Sequence, residues 1–262
     1  MLNFCSLYSG SSGNCLFVES ENTKLLIDAG VSLKKIEQGL ETLNIPSSSL
    51  NGILVTHEHS DHIQSLGNLS KKYNLPVFAN SETFDSMPKQ TDKIATENIK
   101  KIIINEKFSI NDIEINSFSI PHDAANPCGF TLTCGNDKIS IATDIGHMTN
   151  SILKQLEGSK FILLESNYDP EVLKCSKYPF ILKKRIAGPN GHLPNETAGK
   201  VINYLMHDNL KSAMLGHLSK ESNFPELAYQ TVADEIISAG TDISKISLSV
   251  ASRDTIGTLI HI

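Results

Sequence analysis

Residues 56–62 read THEHSDH, and this string limits the chain more than any other feature. It puts three imidazoles (His57, His59 and His62) and the Asp61 carboxylate within six residues, straight after the apolar run 52–56. In an extended turn, alternate residues present His57 and His59 together, and the start of a helix turns Asp61 and His62 toward a second point. Imidazoles and carboxylates suit borderline divalent metals such as zinc, and also manganese or iron. Four such groups packed this tightly suggest two metals rather than one. The chain must therefore fold so that a buried strand ends at a polar edge where further donors can converge.

The rest of the sequence supplies such strands. A glycine-serine turn, SGSSGN from Ser9 to Asn14, precedes a hairpin over 16–19 and 24–27. A helix follows over 32–43 with Ser32 as its cap. After the histidine string, Ser60 or Asp61 can cap a helix with Ile63, Leu66 and Leu69 on one face. A strand over 76–79 and a weak helix from about Ser81 come next, and residues 90–101 are polar and poorly periodic. Phe108, Ile110, Ile113, Ile115, Phe118 and Ile120 alternate around the Asn111-Asp112 turn, and 129–134 and 139–142 pair across Gly135-Asn136. The second half predicts a helix over 152–156, strands over 161–164, 213–215 and 246–250, and a turn-rich stretch over 188–194. A helix runs from Asn195 or Thr197 to about His207, and an amphipathic one over 224–238 is closed by Gly240. Strands in both halves with helices between them predict two sheets with helices outside. No linker divides the halves, so 1–262 reads as a single domain.

Composition narrows the class further. With 262 residues, 40% of them hydrophobic, the chain can bury a core without disulfide or metal support. The charge of −6 gives no general attraction to nucleic acid or an anionic membrane, although a local basic groove can sit on an acidic protein. Lys183-Lys184-Arg185 is one candidate for such a patch. Arg185 and Arg253 are the only arginines, and arginine is the better phosphate fork. Five cysteines without a CxxC spacing make neither a disulfide framework nor a zinc ribbon. No apolar run approaches the length of a membrane span, and the N-terminal residues lack a secretory pattern. A cytoplasmic location without membrane association is the expectation.

Three more donors follow strand ends: His122, Asp144 and His217. Together with HxHxDH and the earlier Asp28-Ala29-Gly30, they resemble the metallo-beta-lactamase fold superfamily over essentially the whole chain. The opening SLYSGSSGN and the late GHLPN and GHLSKESN segments bring the likeness closer to the YycJ/WalJ-like branch, bacterial cytoplasmic proteins taken as metal-dependent exonucleases. The resemblance implies an α+β, four-layer αββα sandwich with two divalent metal ions at one edge, and no full inserted nucleic-acid-binding domain. It implies that His57, His59 and His122 hold the first metal, that Asp61, His62 and His217 hold the second, and that Asp144 bridges them. Asp28 would orient the histidine loop from behind.

Two such ions imply hydrolysis by an activated water, and the likeness to the branch implies a phosphodiester of DNA as the substrate. Asp61 and His192 are the candidate catalytic groups, His192 as general acid or phosphate contact. The branch usually has serine where this chain has Pro194, so a hydroxyl from that loop is not expected. Ser9, Ser11, Ser12 and Asn14 offer hydroxyls and turn amides to a phosphate, and Lys183, Lys184 and Arg185 offer charge. His147 reads as polar packing, His207 as surface and His261 as a terminal residue. The alternatives are a small-molecule hydrolase of a cyclic phosphodiester, thioester or lactone, and a non-catalytic metal-binding regulatory protein.

Overall fold

The computed structural model describes residues 1–206 and 210–262. His207, read above as a surface residue, lies outside the described residues. Within them the strands form two seven-stranded sheets. The first contains β1 (Asn3–Tyr8), β2 (Cys15–Glu19), β3 (Lys24–Ile27), β4 (Gly52–Leu54), β5 (Val77–Ala79) and β6 (Ile99–Lys101). The second contains β7 (Lys107–Ile110), β8 (Ile113–Ser119), β9 (Cys128–Cys134), β10 (Asp137–Ala142), β11 (Phe161–Glu165), β12 (Ser212–Gly216) and β13 (Ser247–Val250). The short β14 (Ile260–His261) returns to pair antiparallel with β1, so the first sheet runs β14-β1-β2-β3-β4-β5-β6 and the second β13-β12-β11-β10-β9-β8-β7.

The helices are α1 (Leu33–Thr42), α2 (Ser60–Ile63), α3 (Leu66–Tyr73), α4 (Ser81–Ser86) and α5 (Pro88–Thr91) in the first half. In the second half they are α6 (Asn150–Leu156), α7 (Pro170–Cys175), α8 (Phe180–Ile186), α9 (Asn195–Leu205) and α10 (Pro225–Ser238).

Strand alternation sorts the apolar side chains into layers. Phe4, Leu16, Val18, Leu25 and Ile27 face Phe130, Leu132, Ile139, Phe161 and Leu163 between the sheets. Their neighbours Leu7, Phe17 and Leu26 point the other way, onto Ile36 and Leu40 of α1 and Leu66 and Leu69 of α3. Ile162, Leu164 and Leu215 point outward from the second sheet onto α6, α9 and α10 through Leu156, Ile202 and Val232. Helix, sheet, sheet and helix therefore stack as the expected αββα sandwich, with apolar surface removed from water at all three interfaces.

Several boundaries differ from the sequence reading for local reasons. The cap after the histidine string is His59, not Ser60 or Asp61, and the helix is broken between α2 and α3. Ser65 causes the break: its N–H donates to the Ala29 carbonyl and its hydroxyl to the Val31 carbonyl, outside the helical ladder. Helix α9 ends at Leu205. Residues 90–101, read as aperiodic, end in β6, a charged strand at the sheet edge. Helices α7 and α8 were not expected. Asp169 caps α7 through the N–H groups of Glu171 and Val172, with Pro170 at its first position. All five cysteines are free, and no helix of the described residues is long and apolar enough to cross a membrane.

β3 and β4 are parallel, as are β10, β11 and β12. β8 runs the same way as β10 because both are antiparallel to β9. Asp28, the histidine string, His122, Asp144, Glu165 and His217 thus all come at or just past strand C-terminal ends, which puts them on one edge of the sandwich.

Candidate metal centre

The histidine loop is held from behind by Asp28. Its Oδ1 accepts from the Thr56 N–H at 2.9 Å, and its Oδ2 accepts from the Thr56 hydroxyl at 2.8 Å and from His62 Nδ1 at 2.7 Å. The Thr56 hydroxyl spends its one proton on Asp28, so it is the acceptor for His57 Nδ1 at 3.0 Å. Both rings are therefore oriented with Nε2 forward and unprotonated in the neutral tautomer. Asp28 takes a φ of +63°, a left-handed conformation uncommon for a residue with a side chain; Asp144 at +61° and His217 at +55° share it. Such backbone persists when the surroundings over-determine it, as these three bonds do for Asp28.

Gly30 closes the same junction. A Cβ on it would lie 1.6 Å from the Asp61 carbonyl oxygen, so only glycine lets this segment rest on the Asp61–His62 backbone. Ala29 N–H donates to the His62 carbonyl at 2.7 Å, and Asn14 N–H to the Asp61 carbonyl at 2.8 Å.

Other loops orient the remaining rings. His59 Nε2 donates to the Asp123 carbonyl, and His122 Nδ1 to the Gly191 carbonyl. That leaves His59 Nδ1 and His122 Nε2 facing each other at 3.3 Å as two acceptors. His57 Nε2 is buried beside them with no hydrogen-bond partner. Three lone pairs converging in a buried space call for a cation. On the other side, His217 Nε2 lies 3.4 Å from Asp61 Oδ2, and His62 Nε2 lies 3.6 Å from the same oxygen. Asp144 stands between the two groups, with Oδ2 3.2 Å from His62 Nε2 and Oδ1 3.7 Å from His122 Nε2 and 3.4 Å from His217 Nδ1.

The donor atoms of His57, His59 and His122 all lie within 4.8 Å of one another, as do those of Asp61, His62 and His217, and those of His57, His62 and Asp144. These clusters are able to coordinate one or two divalent metal ions, and they are of the kind found in catalytic hydrolases.

Charge balance points the same way. Burial disfavours the imidazolium of His62, yet Asp144 and Asp28 hold its pKa well above the usual histidine range. Burial also opposes protonation of His217, but Asp144, Asp61 and Glu165 raise it to about 10. Burial and neighbouring His62 push the pKa of His57 well below the usual value, and the nearby Asp144 carboxylate offsets this only in part. Burial works to raise Asp144, but His217 and His62 hold it well below the carboxylate range. A pocket that draws protons onto two buried imidazoles draws divalent cations for the same reason, and the two compete.

Glu165 was missed by the sequence reading. It sits at the end of β11, fully buried. Its Oε1 accepts from His192 Nδ1 at 2.8 Å and His217 Nδ1 at 3.0 Å, and its Oε2 from the N–H groups of Ile145 and Leu193. Burying an unpaired carboxylate costs several kcal/mol; four donors satisfy this one. The available signal was its place: an acid ending an otherwise apolar strand, FILLE, as Asp28 and Asp144 follow theirs.

The other expected contacts divide. Ser11, Asp61, Asn167, Tyr178, Arg185 and His192 line the metal pocket, a cavity of about 230 Å³. Arg185 is clamped there to Asp123, with Nη2 to Oδ1 at 3.1 Å. Ser9 is buried and its Oγ accepts from the His217 N–H at 3.0 Å, and Asn14 is buried against Gly10 and His62; both hold the scaffold rather than reach the pocket. Ser12 is exposed and does not line it. Lys183 and Lys184 line a different cavity on the flank of α8 with Tyr168 and Phe180, and Lys183 Nζ donates to the Lys174 carbonyl at 2.6 Å. The expected three-residue patch therefore reduces to Arg185 at the mouth, because a helix turns successive side chains 100° apart.

His147 Nδ1 donates to the Pro189 carbonyl, and His261 Nδ1 to Asn3 Oδ1. The GHLPN and GHLSKESN segments supply Asn195 and Asn223. Their amides bond to each other and to Ser166 and Asn167 in a buried network beneath His217. Pro194 precedes α9 as its cap and donates nothing.

Comparison with known proteins agrees with this geometry. Residues 23–217 match the beta-lactamase superfamily domain. The chain is 36% identical to exodeoxyribonuclease YycJ of Bacillus anthracis, over 93% of this chain and 92% of that one. It is also 36% identical to exodeoxyribonuclease WalJ of Streptococcus pneumoniae, over 89% of this chain and 87% of that one. Among solved structures, the metallo-beta-lactamase fold protein YhfI of Bacillus subtilis superposes with a TM-score of 0.70 at 15% identity, over 99% of this chain and 98% of that one. Zinc-bound PqqB of Methylobacterium extorquens gives 0.70 at 14% identity, over 99% and 100%.

Proposed function

Because the chain belongs to the metallo-beta-lactamase fold superfamily and is homologous over most of its length to the YycJ/WalJ exonucleases, we propose that it is a binuclear metal-dependent phosphodiesterase that trims DNA ends. The observation that carries the reading is the convergence of seven donors, each histidine fixed through its other nitrogen. In this reading His57, His59 and His122 would hold one ion and Asp61, His62 and His217 the other, with Asp144 a shared ligand. Zinc, manganese and iron all suit that set. Divalent ions bound there supply Lewis acidity toward a phosphoryl group and lower the pKa of water.

The chain's own residues do the rest. Asp28, Glu165 and the carbonyls of Asp123 and Gly191 keep the imidazoles in one tautomer, so the site needs no reorganisation when substrate arrives. Glu165 takes the Nδ1 proton of His192 as a hydrogen bond, which leaves His192 Nε2 free toward the pocket. With both ring nitrogens protonated, its Nε2–H delivers a proton to the departing alkoxide or donates to a phosphoryl oxygen. Asp61, partly exposed at the mouth, orients the attacking water. Arg185 adds a guanidinium at the rim for the strand. The whole of 1–262 serves as one catalytic unit in the cytoplasm, with no membrane contact.

A substrate panel tests this. Purified protein loaded with Mn²⁺ or Zn²⁺ is expected to shorten single- or double-stranded DNA from an end. Turnover of only a cyclic phosphodiester or a thioester, with DNA intact, would move the assignment to a small-molecule hydrolase. Metal binding without any turnover would leave a regulatory metal-binding protein.

A further inference from the structure

The second arginine, Arg253, has no part in the reaction above. It follows β13 and is turned partly inward: Nη2 donates to the Leu218 carbonyl at 2.8 Å, and Nε is buried without a hydrogen-bond partner. It forms no ion pair among the described residues. Arg253 is partly buried with no carboxylate on it, and its planar fork matches a phosphate better than any other side chain does. Arg253 lines a cavity of about 480 Å³ with Lys220, Asn223, Phe224 and Asp254. Two cations there meet one carboxylate, and Asp254 sits in a turn closed by the Ser252 hydroxyl.

This cavity shares its wall with the metal pocket. Ser9, Leu218 and Lys220 line the arginine side, while Ser11, His217 and Ser219 line the metal side, so successive residues of the same two loops face alternate cavities. Gly10 completes the wall. A Cβ there would lie 2.9 Å from Arg253 Nε, so the SGSSGN turn closes directly over the guanidinium. On the rim, Phe224 is 50% exposed, a large apolar ring left beside two cations.

From this juxtaposition we infer that the cavity is a nucleotide subsite for a non-scissile phosphate, with Arg253 and Lys220 on the phosphate and Phe224 against the base. A nucleotide presents that pair of anion and flat ring, and aromatic stacking accepts any base. The inference rests on the DNA phosphodiesterase reading for the identity of the strand. The phosphate chemistry rests on the cavity alone.

The test compares wild type with Arg253→Gln and Lys220→Ala on oligonucleotides and on bis(p-nitrophenyl) phosphate, which is too small to span both cavities. The expected result is a rise in KM for DNA of about tenfold in each variant, the worth of one charged phosphate contact, with turnover of the small diester unchanged. Oligonucleotides with 5′-phosphate, 3′-phosphate or hydroxyl ends separate the two sources of phosphate. An effect confined to one phosphorylated end marks a terminal phosphate, and an equal effect on all marks an internal one. An unchanged KM for DNA in both variants overturns the subsite. So does an equal loss on the small diester, which would mean that Arg253 merely supports His217 through Leu218. If wild type leaves DNA intact, the function reading fails separately. The subsite is then judged by titration with inorganic phosphate: one equivalent more bound by wild type than by Arg253→Gln supports it, and equal stoichiometry overturns it.

Discussion

Glu165 Oε1 accepts hydrogen bonds from two histidines at once, His192 Nδ1 at 2.8 Å and His217 Nδ1 at 3.0 Å. Both rings line the metal pocket; His217 also groups with Asp61 and His62, whereas His192 groups only with Asp144, Glu165 and His217. A single buried carboxylate thus orients a ligand candidate and a proton-donor candidate together. Burial works to raise its pKa, but His192 and His217 hold it below the usual range, so it stays an acceptor.

The two histidines are separable by substitution. His192→Ala is expected to keep metal content near wild type and to lower turnover roughly 10²-fold. The loss should be smaller on a nitrophenyl ester, whose leaving group departs without a proton. Glu165→Gln should lower turnover and also weaken metal affinity by about 10- to 100-fold, because His217 loses its acceptor. Elemental analysis beside kinetics checks both, and normal metal content in Glu165→Gln would show that His217 does not depend on it.

Metal stoichiometry tests the cluster itself. Protein at saturation is expected to carry two divalent ions per chain, and His57→Ala fewer than two, since its Nε2 is the orphaned buried acceptor. A plateau at one ion in wild type would remove the binuclear reading.

Gly30→Ala should be among the most damaging small changes in the chain. The added methyl meets the Asp61 carbonyl backbone rather than a flexible side chain. Overpacking of this kind costs about 1–3 kcal/mol or more, and here it also displaces Asp61 and His62. Resistance to chemical denaturation and metal content should fall together; a stability loss with an intact metal complement would localise the damage elsewhere.

Arg185 and the two lysines before it should behave differently. Arg185→Ala removes the guanidinium that lines the metal pocket, and it is expected to weaken DNA binding and reduce the salt slope by about 1. Reversing Lys183 and Lys184, which line another cavity, should do less. Equal effects would place the strand along α8 instead.

Asp112 ties the two sheets together. Its Oδ1 accepts from Ser20 and Thr23, both at 2.6 Å, across from the first hairpin. Burial works to raise its pKa, but these hydroxyl bonds lower it below the usual value. A depressed carboxyl contributes stability that is present above its unfolded pKa, about 3.9, and is lost as pH falls through its folded value. Asp112→Asn is therefore expected to be less stable than wild type at pH 7, with the gap closing below about pH 4. Chemical denaturation across that range, under chelator, measures it; a gap independent of pH would assign the effect to packing.

By itself the sequence determined the strand-edge metal chemistry and the layered fold. HxHxDH is local, so its donors are neighbours in any fold that ends a strand before them, and the alternation of Phe108, Ile110, Ile113 and Ile115 around the Asn111-Asp112 turn marks a strand pair without knowledge of the partner sheet. Ser32 capped its helix as expected because capping uses bonds within three residues. What only the tertiary structure decided is each partnership across distant elements: Asp28 with His62, Glu165 with both His192 and His217, Asp123 with Arg185, and Arg253 with Leu218. A lone acid at the end of an apolar strand, or a lone arginine after one, carries no local pattern. Its role is fixed by which loops the parallel strands bring to the same edge, and that depends on strand order rather than on neighbouring residues.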